Sequence, residues 1–178
     1  MRHPGYSYDW GRSDSVPVFD IALLVLDTRV RLSDFILPAC LPPLGDNNIT
    51  PGPLTITGWG NTVGGSLSPS PADILQELQV REVEVSECQQ IWQTRLGIEL
   101  LPSHMCAASL QEFQSSCKGD SGGAVVRGRE VFEVAGVISF GIETCGNTDY
   151  PMGFTRISGG INRWLHDNIG SDLPNNPT

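Results

Sequence analysis

One serine in this chain stands where its hydroxyl could become a nucleophile. The pentapeptide Gly119-Asp120-Ser121-Gly122-Gly123 sets Ser121 between glycines. Glycine tolerates positive φ, so the backbone can turn tightly enough for the Gly119 and Ser121 amides to converge on one point. A hydroxyl attacks a carbonyl only when a base takes its proton and donors receive the developing oxyanion. The donors are legible in the pentapeptide; the base is not. Three histidines are candidates for it, His3, His104 and His166. Asp20, directly before the apolar run 21–26, reads on its own as a cap at the start of a strand. The five cysteines (Cys40, Cys88, Cys106, Cys117, Cys145) form no CxxC, and zinc-ligand spacings are absent. Neither a metal nor a cofactor is expected.

The elements that must position these groups read mostly as β. In 178 residues there are 20 Gly and 13 Pro against 39% hydrophobic residues, the signature of many short elements joined by turns. Strand signals lie at 20–26, 54–60, 75–85 and 123–141, the last folded back at Arg127-Gly128-Arg129. Residues 86–96 suit a short helix, and 161–169 carry apolar residues at helical spacing and stop before Gly170. Between the strand signals at 20–26 and 54–60, the Pro-rich stretch 31–53 reads as a linker between two lobes, and 171–178 as a disordered tail. A formal charge of -9 argues against a nucleic-acid surface. No apolar run approaches the roughly 20 residues that span a bilayer, and no apolar h-region follows Met1 to make a signal peptide. A disulfide framework with one cysteine left over implies an oxidising compartment, and the sequon Asn48-Ile49-Thr50 agrees with glycosylation and secretion.

The pentapeptide also fits G-x-S-x-G, the nucleophile elbow of α/β-hydrolases, and Asp149 and His166 follow in the matching order. That elbow needs a strand before the serine and a helix after it. Here Ser115-Ser116-Cys117-Lys118 precedes and a hairpin follows. Instead, residues 117–123 resemble the nucleophile loop of the chymotrypsin/trypsin family of serine proteases. Asp20-Ile21-Ala22-Leu23-Leu24, Gly58-Trp59-Gly60-Asn61-Thr62, Met105-Cys106-Ala107-Ala108 and Ser139-Phe140-Gly141 match that family in order and spacing, over nearly all of residues 3–170.

The resemblance implies an all-β fold of two antiparallel barrels, the first incomplete (1–30), then the linker (31–53), a complete second barrel (54–160) and a terminal helix (161–170). It makes Ser121 the nucleophile, Gly119 and Ser121 the oxyanion donors, and Asp20 the carboxylate behind the catalytic histidine. Ser139, Phe140 and Gly141 would pair with the substrate backbone as an added strand. By the same resemblance Cys88 pairs with Cys106 and Cys117 with Cys145, and Cys40 ties the domain to an N-terminal propeptide or light chain. Many relatives carry a further disulfide joining the strand at 75–78 to the one after the nucleophile; Glu77 and Arg127 are expected there as an ion pair.

The family's catalytic histidine lies upstream of Asp20, in a segment absent from this sequence, so none of the three histidines here is expected to be the base and these residues alone are expected to be inactive. Asp120, which in the family pairs with the freshly cut N-terminal ammonium on activation, is expected to lack a partner and to let 60–70, 108–119 and 141–148 relax. A non-catalytic homologue that binds or regulates other proteases is the alternative to an endopeptidase. In the primary specificity pocket Ser115 occupies the floor, where a carboxylate would select Lys or Arg. Gly141 leaves one wall open, Met152 narrows the other, and Lys118, the only lysine, stands at the mouth. Apolar residues of small to medium size are expected before the cleaved bond.

Overall fold

In a computed structural model of the chain, residues 1–45, 53–62 and 70–169 are described. The sequon at Asn48 and the tail 171–178 lie outside them. Six strands, β1 (Leu54–Gly58), β2 (Gln76–Val83), β3 (His104–Ser109), β4 (Ala124–Arg127), β5 (Glu133–Phe140) and β6 (Met152–Arg156), close into an antiparallel barrel in the order β1-β2-β3-β6-β5-β4. Helix α1 (Val85–Leu96) follows β2, and α2 (Gly159–Ile169) follows β6. A mostly β barrel with a short terminal helix is the architecture expected of the second lobe.

Alternation explains β1, where Leu54 and Ile56 point inward and Thr57 outward. With Val80, Met105, Val125 and Phe154 they form the barrel interior. Strands β3 and β6 were not legible as strands. All five residues of β6 and the first four of β3 are buried, so neither alternates. The hairpin between β4 and β5 turns at Gly128 with φ 102°, and a side chain there would run into the Val131 carbonyl. Helix α1 buries Cys88 and Trp92, one turn apart, against Val83, Ile98, Leu100 and Cys106, and the Cys88–Cys106 disulfide crosses that cluster. It ends at Gly97 in the left-handed conformation, with the Gly97 amide donating to Gln93.

Residues 1–45 are held differently. Their antiparallel pairing consists of single bridges, Arg2 to Ala22, Ser7 to Val18 and Ser33 to Ile36. The run 20–26 is therefore not the buried strand expected from its composition. Ile21 alone of that run is buried, while Leu24 and Val25 are 87% and 88% exposed, because no sheet among the described residues covers them. Ile21 packs with Ile157, Ile161 and Leu165, and Phe19, Leu23 and Leu41 close around them. Cys40 is half-buried rather than lying on an open linker: its amide donates to the Phe132 carbonyl at 2.7 Å and its carbonyl accepts from Val134 at 2.9 Å. The Asn162 side chain donates to the Pro42 and Pro43 carbonyls at 2.9 and 3.2 Å, fastening the linker to α2.

Candidate active site

The loop carrying Ser121 is anchored by the Cys117–Cys145 disulfide at one end and by β4 at the other. Within it, the Asp120 amide donates to the Cys117 carbonyl at 3.0 Å, the Gly123 amide to the Asp120 carbonyl at 2.9 Å and the Gly122 amide to Ile138 at 2.9 Å. Gly119 has φ 103°, and a Cβ on it would lie 3.1 Å from the Gly60 Cα. Among the described residues neither the Gly119 nor the Ser121 amide has an acceptor, while those of Asp120, Gly122 and Gly123 are all engaged. Ser121 itself is exposed.

Asp120 does not lack partners as expected. Its carboxylate accepts from the Gly60 amide and from the Cys117 amide, both at 2.8 Å. Two backbone donors take the place of an ammonium, and both Gly58 and Gly60 leave room for this carboxylate that a Cβ would fill. The Asn61 amide donates to the Lys118 carbonyl at 2.9 Å, so 60–61 and 117–120 are stitched together. Behind this junction lies a cavity of about 370 Å³ bordered by Gly58, Gly60, Glu77, Gln111, Ser115 and Asp120. Ser121 and Ser139–Gly141 are not among the residues that line it.

Asp20 reaches the barrel through two bonds. The Ser139 hydroxyl donates to its carboxylate at 2.7 Å, and the Thr155 hydroxyl donates to its carbonyl at 2.9 Å. Asp20 and the end of β5 are thereby brought together. Phe140 packs over Gly153, whose missing side chain admits the ring, and Gly141 faces open space. At the pocket, the Ser115 hydroxyl donates to the Ser116 carbonyl at 2.9 Å and accepts from the Gly146 amide at 2.8 Å. Met152 is buried, and its sulfur accepts the Ser116 amide at 3.1 Å. Lys118 is exposed.

The histidines are all occupied elsewhere. His3 stacks on Phe19 at 4.8 Å, meets Trp164 edge-on at 4.9 Å and accepts the Gly5 amide; burial lowers its pKa. His166 lies on α2, 3.4 Å from the Pro42 carbonyl. His104 is buried in β3 with both ring nitrogens engaged. Burial lowers its pKa, and the bond to the Pro17 carbonyl offsets part of that. Sequence reasoning missed Thr155 and His104 as contacts of the Asp20 segment; both lie on strands whose buried faces gave no periodic signal, so nothing in the sequence pointed to them.

The Glu77–Arg127 pair does not form. The ladder sets Glu77 opposite Thr57 and Arg127 opposite Leu54, three positions apart along β1 and on opposite sides of it. Arg127 pairs with Glu133 at 3.3 Å across the β4–β5 hairpin, and Glu77 accepts from Gln79. Both expected disulfides, Cys88–Cys106 and Cys117–Cys145, are present.

Set beside known proteins, this geometry has a family. The family model described as Trypsin matches residues 1–165. The chain is 35% identical over 176 residues to Melanization protease 1 of Drosophila melanogaster, covering 94% of this chain and 40% of that protein. It is 34% identical over 171 residues to Phenoloxidase-activating factor 1 of Holotrichia diomphalia, covering 95% and 44%. With CLIP domain-containing serine protease B14 of Anopheles gambiae it shares 30% over 167 residues, 89% and 43%. The chain belongs to the chymotrypsin/trypsin family of serine proteases, and it spans less than half the length of these relatives.

Proposed function

We propose that the protein is a secreted serine-type endopeptidase that cleaves peptide bonds through an acyl-enzyme on Ser121. The observation that carries this is the pair of acceptor-less amides at Gly119 and Ser121 flanking an exposed hydroxyl. As the Ser121 oxygen bonds to the substrate carbonyl carbon, its proton passes to an imidazole and the carbonyl oxygen becomes an anion between those amides. The imidazole returns the proton to the leaving amine, the C–N bond breaks, and water then hydrolyses the ester. Asp20, held by Ser139 and Thr155, orients that imidazole. The imidazole is none of His3, His104 or His166, whose contacts lie elsewhere, and by family resemblance it comes from upstream of Asp20. Residues 1–178 alone are therefore inactive. Residues 1–30 are in this reading part of a first barrel, 31–53 the linker, and Cys40 the tie to an N-terminal part. Asp120 and the cavity behind it receive the new N-terminus on activation, in exchange for one of its two amide partners.

The pocket supports apolar specificity. The Ser115 hydroxyl is neutral and already shared between two backbone groups, so it offers a buried Lys or Arg side chain no counter-charge. Met152 fills part of the slot, and the open side at Gly141 leaves room for Ala, Val or Leu. Profiling the protein extended to include its upstream histidine on a peptide library tests this. Small to medium apolar residues should dominate before the cut. A dominant Arg or Lys preference would refute the Ser115 argument, and a dominant Phe, Tyr or Trp preference would show that Met152 does not obstruct.

A further inference from the structure

Three aromatic rings lead away from the end of β5, and a cation stands at their far end. Phe140 meets Trp92 of α1 edge-on at 5.3 Å, and Trp92 meets Tyr150 edge-on at 6.3 Å. The Arg95 guanidinium lies over the Tyr150 ring, 5.3 Å from its centre. Arg95 follows Trp92 by three residues on α1, so the two side chains share one side of that helix. Ile142, the residue after Gly141, packs against the same buried cluster as Phe140. The row therefore begins at the edge formed by Ser139, Phe140 and Gly141.

Among the described residues, nothing uses the charge of Arg95. The Trp92 and Gln93 carbonyls near the end of α1 already accept from the Ile98 and Gly97 amides, at 3.3 and 3.0 Å. No carboxylate pairs with Arg95, those of Glu143 and Asp149 included, whereas Arg12, Arg127 and Arg156 each have an acidic partner. The residue is exposed. A guanidinium held over a ring keeps N–H groups free for the two oxygens of a carboxylate. In a chain of formal charge -9, an exposed cation without a counter-ion is a local exception that attracts an anion.

We propose that Arg95 is a specificity-determining residue that selects an acidic side chain upstream of the cleaved bond. The proposal rests on Ser121 being the nucleophile and on Ser139, Phe140 and Gly141 pairing with the substrate backbone. Ser139 is the end of that edge that bonds Asp20, so an antiparallel substrate strand has the residue before the cut near Ser139. Its earlier residues then pass Phe140 and Gly141 on the way to Tyr150. At about 3.4 Å per residue, an acidic residue roughly three to five positions before the cut comes within reach of Arg95. A small or medium apolar residue at the cut and a carboxylate further upstream form one recognition pattern.

Hydrolysis of matched peptides by the activated full-length protein tests this. The peptides carry Leu before the cut and either Glu or Gln at one position, moved in turn through about two to six residues upstream. At the best position Glu should be favoured over Gln about fivefold in kcat/KM, through KM, the scale of an exposed ion pair. Raising the salt from about 0.05 to about 0.5 M should remove most of that preference. Arg95→Gln keeps a good helix former in the last turn of α1 and should abolish it. Arg95→Glu should reverse it, so that Lys is preferred at the same position. Neither change should alter the choice of residue directly before the cut. A Glu preference that survives in Arg95→Gln, or none at any position, would overturn the proposal and leave the endopeptidase reading standing. A full-length protein that hydrolyses no peptide would overturn both.

Discussion

Residues 54–156 and residues 1–45 solve the problem of staying folded in opposite ways. The barrel closes on itself, each strand pairing with two neighbours around an interior that includes Val80, Val125 and Phe154. The N-terminal segment has isolated bridges and a row of exposed apolar side chains, Leu24, Val25 and Phe35 among them. Yet the segment supplies Asp20, and its placement is borrowed from the barrel through Ser139, Thr155 and His104. The closed barrel and the Ser121 loop reside in one region, while Asp20 comes from the other and is held by it. A protein built so can lose the carboxylate's position while its barrel stays intact.

Core truncation should separate the two regions most sharply. Phe154→Ala, at the centre of the barrel, should cost about 3–5 kcal/mol in denaturant unfolding. Phe35→Ala, 96% exposed, should stay within about 0.5 kcal/mol. A large loss at Phe35 would mean that the segment carries structure of its own.

Asp120→Ala should have a middling effect, about 2 kcal/mol, because it strands the amides of buried Gly60 and half-buried Cys117. Exchange of amides in 117–123 should rise while those of β2 and β3 stay protected. Uniform loss across the barrel would show that Asp120 supports the whole fold and not the loop alone.

The smallest expected effect is that of pH. The folded-state pKa of His104 is lowered, so the unfolded chain binds the proton first as pH falls. The neutral ring's contribution is full above the unfolded value of about 6.5 and is lost progressively as pH drops below it. His3 shifts in the same direction, so the part of the slope removed in His104→Gln measures His104. Unfolding midpoints at pH 7.5 and pH 5 should lie closer together in that variant than in the wild type; an unchanged gap would assign the slope to other groups.

Much of this was legible before any coordinates. The strand signals at 54–60 and 75–85 and the short helices at 86–96 and 161–169 each act over a few residues, and each gave its element within a residue or two. Strands β3 and β6 stayed hidden because both their faces are covered and the periodic signal vanishes. The run 20–26 misled because composition reports how apolar a strand is, not whether a neighbour exists to bury it. The contacts that hold Asp20 join residues 119 and 135 positions apart, and that of His104 to Pro17 spans 87. Only a known register brings such residues together, and it was register that undid the Glu77–Arg127 pair.

The central claim is that Ser121 is a nucleophile served by a carboxylate that the barrel holds in place. The most direct measurement is the rate at which a fluorophosphonate forms an adduct with the full-length protein, located by peptide mass spectrometry. The account predicts a single adduct on Ser121, none in Ser121→Ala, and labelling slowed by at least about a hundredfold in Asp20→Asn, the scale expected when the imidazole loses its partner. An adduct on another serine, or an Asp20→Asn protein that labels as fast as the wild type, would contradict it.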